Sequence, residues 1–380
     1  MKRRLAMLVS NACAPDRRVL REALALVKRG HQVRVIAWDR EGRYPAWQVL
    51  DGVEIERIAV RSAYGTGLRR LGQWPAYARS ALATLRQEDW DAVHCHDLDT
   101  LPIGFAYTRN RGTPLVFDAH ESYPDLIAHQ TPAWAGKMIR QLERFLVRRV
   151  DALVTVGVLL AEHYRPWVDR VVVVRNCQLP GSVPPEPVSQ HPEWRPQGAE
   201  LVVCYIGGFT PGRVILPLIE TVARDPTLGL LLVGDGPQAE ILLNAIGDCE
   251  RISYLGPRVP PDQVVNIMRS SDVVYYGLRS DYPNNRFSSP NALYGALAAG
   301  RPLLTTDVGE ISQIVREESC GLVLGEPTVE RIGLALAQLR DGETRAAMSK
   351  RAEHAAQTKY NWETSEARFL ELYRSLWGEA

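Results

Sequence analysis

Residues 287–304, "FSSPNALYGALAAGRPLL", read as a helix running into a buried strand. Ser288, Ser289 and Asn291 are small polar residues of the kind that start helices. An apolar body follows, Gly300 stops it, and Leu303-Leu304 opens the strand. A helix beginning in this way presents unpaired N–H groups and a positive dipole end, which together favour a bound anion. Pro290 has no N–H, so the backbone of Asn291 and Ala292 is expected to make the contacts. One turn in stands Gly295, although a mid-helix glycine costs about 1 kcal/mol relative to alanine. If the first turn faces a phosphate, Gly295 is expected beside a sugar.

Working outward, short apolar runs alternate with helical stretches: "LVVCYIGG", "LGLLLVGDG", "RISYLGP", "DVVYYGL", "RPLLTTD" and "GLVL". This alternation predicts a parallel sheet covered on both faces. Three glycine turns then fall on one sheet edge. "GGFTPGR" carries Gly208 and Arg213, the latter expected to open the next helix and fork onto phosphate oxygens. "VGDGP" offers Gly234 and Gly236 for positive φ, with Pro237 suited to a first helical turn, and "YLGPR" brings Arg258 to the same edge.

The first half repeats the pattern with "RLAMLVS", "QVRVIAWD", "VEIERIAV", "DAVHCHD", "PLVFDAH", "DALVTVG" and "RVVVVRN". Two polar clusters, "HCHDLD" and "DAHES", end neighbouring strands there. Residues 178–199 hold six prolines and read as a linker. The expected plan is a domain over 1–177, the linker, a second domain over 200–358, and a closing amphipathic helix within 359–380 that packs back on the first domain. Two such sheets turn their strand C-terminal edges toward a shared cleft.

Among the 380 residues, 46% are hydrophobic and 23% charged, which are globular proportions. No run approaches 18 apolar residues, so no helix is expected to span a membrane. Six cysteines lie far apart without C-x-x-C spacing and read as reduced thiols of a cytoplasmic protein. Residues 1–180 hold 27 basic and 19 acidic side chains, a net +8, against −7 for the remainder. A basic first half fits an anionic acceptor or peripheral contact with a membrane surface. Nothing in the sequence points to nucleic acid.

Taken in order, these motifs resemble the large retaining glycosyltransferase family 4, of the GT-B fold, over nearly the whole chain. "DRRVLREALALVKRGHQVRVIA", "HCHD", "DAHE", "GGFTPGR", "VGDGP", "YLGPRVPPDQVVNIMRSSDVVYY", "SSPNALYGALAAGRPLLTTDVGEISQIV" and the "NWE" helix follow the family's order. The resemblance implies two doubly wound Rossmann-like domains facing a central cleft. It implies a UDP- or GDP-sugar donor in the second and a small-molecule, glycan or lipid-linked acceptor in the first. By position, Arg213 clamps the diphosphate and the 291–292 backbone caps it. Gly208, Gly234, Ser289 and Gly295 complete the donor site, and residues near Arg258 flank the base. His120 meets the donor sugar near the reacting carbon, and Asn176 closes the first domain. Asp16, Arg17, His96, Asp97 and Glu121 fall on the acceptor side. No cofactor and no metal are implied; "DLD" (97–99) superficially matches a metal-binding D-x-D but lies in the acceptor domain.

One departure stands out. The family carries two glutamates eight positions apart, the second holding the ribose hydroxyls. Phe287 and Gly295 stand at those positions. Another group then holds the ribose, or the donor is unusual, or catalysis is lost. A catalytically silent binding partner and a GT-B nucleotide-sugar epimerase are the alternatives. A generic two-domain nucleotide enzyme is disfavoured because no G-x-G-x-x-G follows the first strand.

Overall fold

The computed structural model describes residues 1–62, 72–178, 191 and 194–379. Most of the expected linker therefore lies outside the described residues. The chain forms two compact units, Met1–Val174 with Ser365–Ala380, and Arg175–Thr364.

Unit 1 is built from β1 (Arg4–Val9), α1 (Arg17–Lys28), β2 (Gln32–Asp39), β3 (Trp47–Leu50), β4 (Val53–Ala59), α2 (Trp74–Leu85), β5 (Ala92–His96) and α3 (Leu101–Thr108). There follow β6 (Leu115–Ala119), α4 (Tyr123–Leu126), α5 (Ala133–Val147), β7 (Ala152–Thr155), α6 (Val158–Tyr164) and β8 (Val171–Val173). The eight strands pair in the order β3-β4-β2-β1-β5-β6-β7-β8, parallel except for β3 against β4. The reading of the sequence misses β3. Its residues are mostly exposed on a sheet edge, so "WQVL" shows no buried alternation to betray it.

Unit 2 contains β9 (Leu201–Ile206), α7 (Leu216–Arg224), β10 (Leu228–Val233), α8 (Ala239–Ile246), β11 (Ile252–Tyr254), α9 (Val264–Ser270) and β12 (Val273–Tyr276). It continues with α10 (Asn291–Ala299), β13 (Leu303–Thr306), α11 (Gly309–Glu317), β14 (Gly321–Leu324), α12 (Val329–Gln338) and α13 (Gly342–Thr358). Six parallel strands run in the order β11-β10-β9-β12-β13-β14. Strands β9 and β10 are almost wholly buried, as unbroken apolar runs in a doubly covered sheet must be. The last helix, α14 (Trp362–Leu376), contributes Phe369, Leu370 and Tyr373 to the buried set, and from Ser365 onward it belongs to unit 1.

Candidate active site

In unit 2 the turns after β9, β10 and β11 lock into one another. Gly207 N donates to Val233 O (3.1 Å), Phe209 N to Asp235 O (2.8 Å) and Gly234 N to Gly256 O (3.2 Å). A Cβ on Gly234 would lie 2.0 Å from Gly207 O, and one on Gly236 would lie 2.7 Å from Phe209 O. Backbone packing between turns therefore demands these two glycines, at φ of 155° and 152°. Gly208 is exposed, and a Cβ added there would meet nothing closer than 3.5 Å. Arg258 is exposed in the loop that follows β11, with no hydrogen bond or ion pair among the described residues.

Arg213 does not open α7, as the sequence led one to expect. Pro217 sets the first turn of that helix, which starts at Leu216, and Arg213 stays in the preceding loop, bridged to Leu278. Its guanidinium is held from two sides. Nε donates to Tyr276 Oη (3.0 Å) and Nη1 to Asn285 Oδ1 (2.9 Å), and Nη2 has no hydrogen-bond partner among the described residues. Asn285 is itself fixed, since Nδ2 donates to Gly212 O and Arg279 O, both at 2.9 Å. The sequence reading missed Tyr276 and Asn285; both come together with Arg213 only in three dimensions.

Asn285 lies in the turn that leads into α10, on the same sheet edge. No side chain caps that helix, and the Asn291 and Ala292 N–H groups find no acceptor among the described residues. The Ser289 hydroxyl, expected at the donor, instead lies 2.5 Å from Tyr294 Oη, and both side chains are buried. Gly295 is buried too, and a Cβ there would lie 2.9 Å from the Met268 sulfur on α9. The glycine thus leaves no open space beside a sugar: it makes room for Met268.

A glutamate at this position would press its charge against a thioether. Gly295→Glu is expected to cost about 2–3 kcal/mol of stability and to lower nucleotide affinity. Gly295→Ala is expected to be near neutral, because the helix gains about 1 kcal/mol while the flexible Met268 end shifts. Urea unfolding of the two variants measures this, and a stable, tighter-binding Gly295→Glu would contradict the packing account.

In unit 1, the ends of β5 and β6 meet α1 in a buried cluster of charge. Strand alternation puts His94 and His96 on one face of β5, and register pairs His96 with Asp118 on β6. Arg18 on α1 forks onto Asp118, with Nε to Oδ2 at 2.8 Å and Nη2 to Oδ1 at 2.7 Å. Its Nη1 donates to Val174 O (2.7 Å), and Glu22, one helical turn on, lies 3.2 Å from Nη2. His96 Nδ1 is 3.1 Å from Asp118 Oδ2, and Tyr373 Oη lies 2.8 Å from His94 Nδ1.

Arg18 holds the Asp118 carboxyl well below the usual carboxylate range. Burial, together with the Asp118 charge, pushes the Glu22 carboxyl up, and burial pushes both His94 and His96 down. Glu22, His94, His96 and Asp118 bring ligand-type atoms within 4.8 Å of one another, with the Arg18 guanidinium already ion-paired to both carboxylates. Sequence reasoning passed over Arg18 and Glu22. The available signal was an opposite-charge pair at i,i+4 beside apolar Val19 and Ala23 on one helix.

His120 stands at the mouth of this cluster. Its Nε2 donates to Asp118 Oδ2 (3.1 Å), and its Nδ1 lies 3.4 Å from Asp97 Oδ2. Burial opposes the charged ring, but Asp97 and Asp118 outweigh it and push the pKa from 6.5 up to about 9. The stabilisation from this cation is complete below pH 6.5 and is lost as pH rises through about 9. The shift corresponds to about 3 kcal/mol. Unfolding of wild type and His120→Gln is therefore expected to diverge at about pH 5.5 and converge near pH 10, measured about one unit outside the two pKa values. Parallel pH profiles would contradict it.

The other acceptor-side residues divide. Asp16 is the N-cap of α1, accepting from Arg18 N (3.2 Å) and Val19 N (3.3 Å). His96 is fully buried, so it supports the cluster and offers nothing to an acceptor. Arg17 and Glu121 are exposed, and Asp97 is partly exposed at a φ of 62°. A separate cavity of about 450 Å³ lies near the strand N-termini, lined by Lys2, Arg29, His31, Tyr373 and Trp377, away from His120.

With this geometry in place, the comparisons with known proteins are consistent. Residues 14–177 match the glycosyl transferase 4-like domain, and residues 200–341 match glycosyl transferases group 1. The chain therefore belongs to the GT4-type glycosyltransferases of GT-B fold. It is 26% identical over 386 residues to the D-inositol 3-phosphate glycosyltransferase of Rhodococcus jostii, covering 94% of this chain and 83% of the relative. Sucrose-phosphate synthase from Thermosynechococcus elongatus superposes with a TM-score of 0.80 at 17% identity, covering 100% of both chains. HepE of Anabaena, in complex with UDP-glucose, gives 0.72 at 15% identity over 98% of this chain and 99% of the other.

Proposed function

We propose that the protein transfers a sugar from a UDP- or GDP-sugar to an acceptor hydroxyl, with retention at the anomeric carbon and without a metal ion. One observation carries this reading. On one sheet edge of unit 2, two unpaired N–H groups at the start of α10 accompany an arginine fixed by Tyr276 and Asn285. Both features suit a diphosphate. The UDP-glucose complex of HepE supports the choice of donor.

In such a transfer the glycosidic C–O bond to the diphosphate breaks and the acceptor oxygen bonds to the same face of the sugar. The acceptor proton passes to the departing phosphate. The protein stabilises the growing phosphate charge through Arg213 and the 291–292 backbone. His120, as an imidazolium held by Asp97 and Asp118, orients the sugar. The net +8 of residues 1–180 suits an acceptor that carries phosphate.

With Gly295 beside Met268, no carboxylate from this position reaches a ribose. Calorimetry is expected to show a 2′-deoxy nucleotide binding within about threefold of its ribo counterpart, since no charge-assisted hydrogen bond is lost. Strong ribose selectivity would contradict this. Turnover is expected to survive EDTA, and a loss restored by magnesium or manganese would refute metal independence. A second reading, a nucleotide-sugar-binding partner without turnover, draws on Phe287 and Gly295, because neither supplies a carboxylate. Binding without product formation would select it.

A further inference from the structure

Helix α5 has three faces. Counting about 100° per residue, Ala135, Ile139, Glu143 and Leu146 turn inward, and Ala135, Glu143 and Leu146 are buried. Trp134, Met138, Leu142 and Phe145 gather within an arc of roughly 80° on another face. They are 64%, 65%, 48% and 46% exposed, unusual values for four large apolar side chains in one stripe. Lys137, Arg144 and Arg148 run along the adjoining face, exposed and without an ion pair among the described residues. Arg149 lies over the Phe145 ring, 3.6 Å from its centre.

No acid on the helix's own exposed faces balances them, and none pairs with them among the described residues. The helix's one carboxylate, Glu143, is buried and accepts from Tyr164 Oη (2.8 Å). Asp125, on the neighbouring α4, is taken by Arg140 (3.0 Å). An exposed apolar stripe bordered by unpaired cations is complementary to a surface that is apolar in depth and anionic at its face.

We propose that α5 docks unit 1 on an anionic lipid bilayer, with Trp134, Met138, Leu142 and Phe145 entering the interface and Lys137, Arg144 and Arg148 meeting the headgroups. The orientation follows from the chain itself, since the third face is held by the core of unit 1. Docking does not depend on the transfer chemistry, because the stripe shares no residue with the donor site.

Flotation with vesicles of equal parts phosphatidylcholine and phosphatidylglycerol tests this on the full chain. The protein is expected to float with these vesicles, less at high salt, and poorly with phosphatidylcholine alone. Lys137→Glu/Arg144→Glu is expected to lower partitioning about 30-fold or more, since each removed cation near the surface counts for about a factor of five. Trp134→Ser/Met138→Ser/Phe145→Ser is expected to abolish it. Leu334→Ser, which alters an exposed apolar residue of unit 2, is expected to change nothing. All variants change exposed side chains, and UDP or GDP calorimetry in each is expected to match wild type. Equal flotation of wild type and both α5 variants would overturn the proposal, as would no flotation at all. A wild-type dimer in light scattering that becomes monomeric in the triple variant, without lipid binding, would assign the stripe to a second copy instead. Failure of nucleotide binding in wild type would overturn the transferase reading and leave the docking intact.

Discussion

Arg213→Ala weakens UDP or GDP binding by about ten- to a hundredfold in a protein that stays folded: this is the expected result at the donor site. A charge-assisted hydrogen bond contributes about 1.5–3 kcal/mol, and Arg213 Nη2, which has no partner among the described residues, can make one. Folding survives because the side chain sits in a loop ahead of α7 rather than in the core. Tyr276 and Asn285 each lose one partner, but Asn285 keeps its bonds to Gly212 and Arg279. Arg213→Lys is expected to fall between, keeping the charge but not the fork. Calorimetry on the folded variants reads the effect, and unchanged affinity in Arg213→Ala would remove Arg213 from the site.

The largest stability effect belongs to Arg18. Arg18→Met leaves Asp118 buried with its main counter-charge gone, and breaking a buried pair from one side costs about 3–5 kcal/mol. Asp118 keeps His96 and His120 as neighbours, yet neither replaces the fork. Adding Asp118→Asn to Arg18→Met is expected to recover part of the loss, because the stranded charge disappears. Urea unfolding followed by near-ultraviolet circular dichroism measures both. A loss below about 1 kcal/mol in the single variant would mean the pair is solvated rather than buried.

The sheets were legible because parallel strands covered on both faces leave unbroken apolar runs, as in "LVVCYI" and "LGLLLV". Edge strand β3 has no such run and escaped. At the donor edge, the turns and the start of α10 could be read from glycine, proline and small polar residues, whose local geometry is set within a few positions. What holds Arg213 could not, since Tyr276 and Asn285 lie 63 and 72 residues away. Gly295 shows the same limit from the other side. Its helical position was correct, but its neighbour is Met268 on a different helix, and no spacing announces that contact. In unit 1, "HCHD" and "DAHE" marked the right strand ends. Which of their residues face inward depended on register and on α1, so His96 proved to be buried support and Asp16 a helix cap.

Whether unit 2 presents a diphosphate-sugar site that serves transfer is decided by assaying the protein for donor consumption and product. The protein is incubated with a panel of UDP- and GDP-sugars and a lysate as acceptor source, and products are read by mass spectrometry, with the anomer assigned by NMR. One donor is expected to be consumed, an acceptor to gain the mass of one sugar residue, and the new linkage to keep the donor's anomeric configuration. Arg213→Ala is expected to lose this product. A product of inverted configuration, or no binding and no consumption of any donor by the folded protein, would contradict the transferase reading.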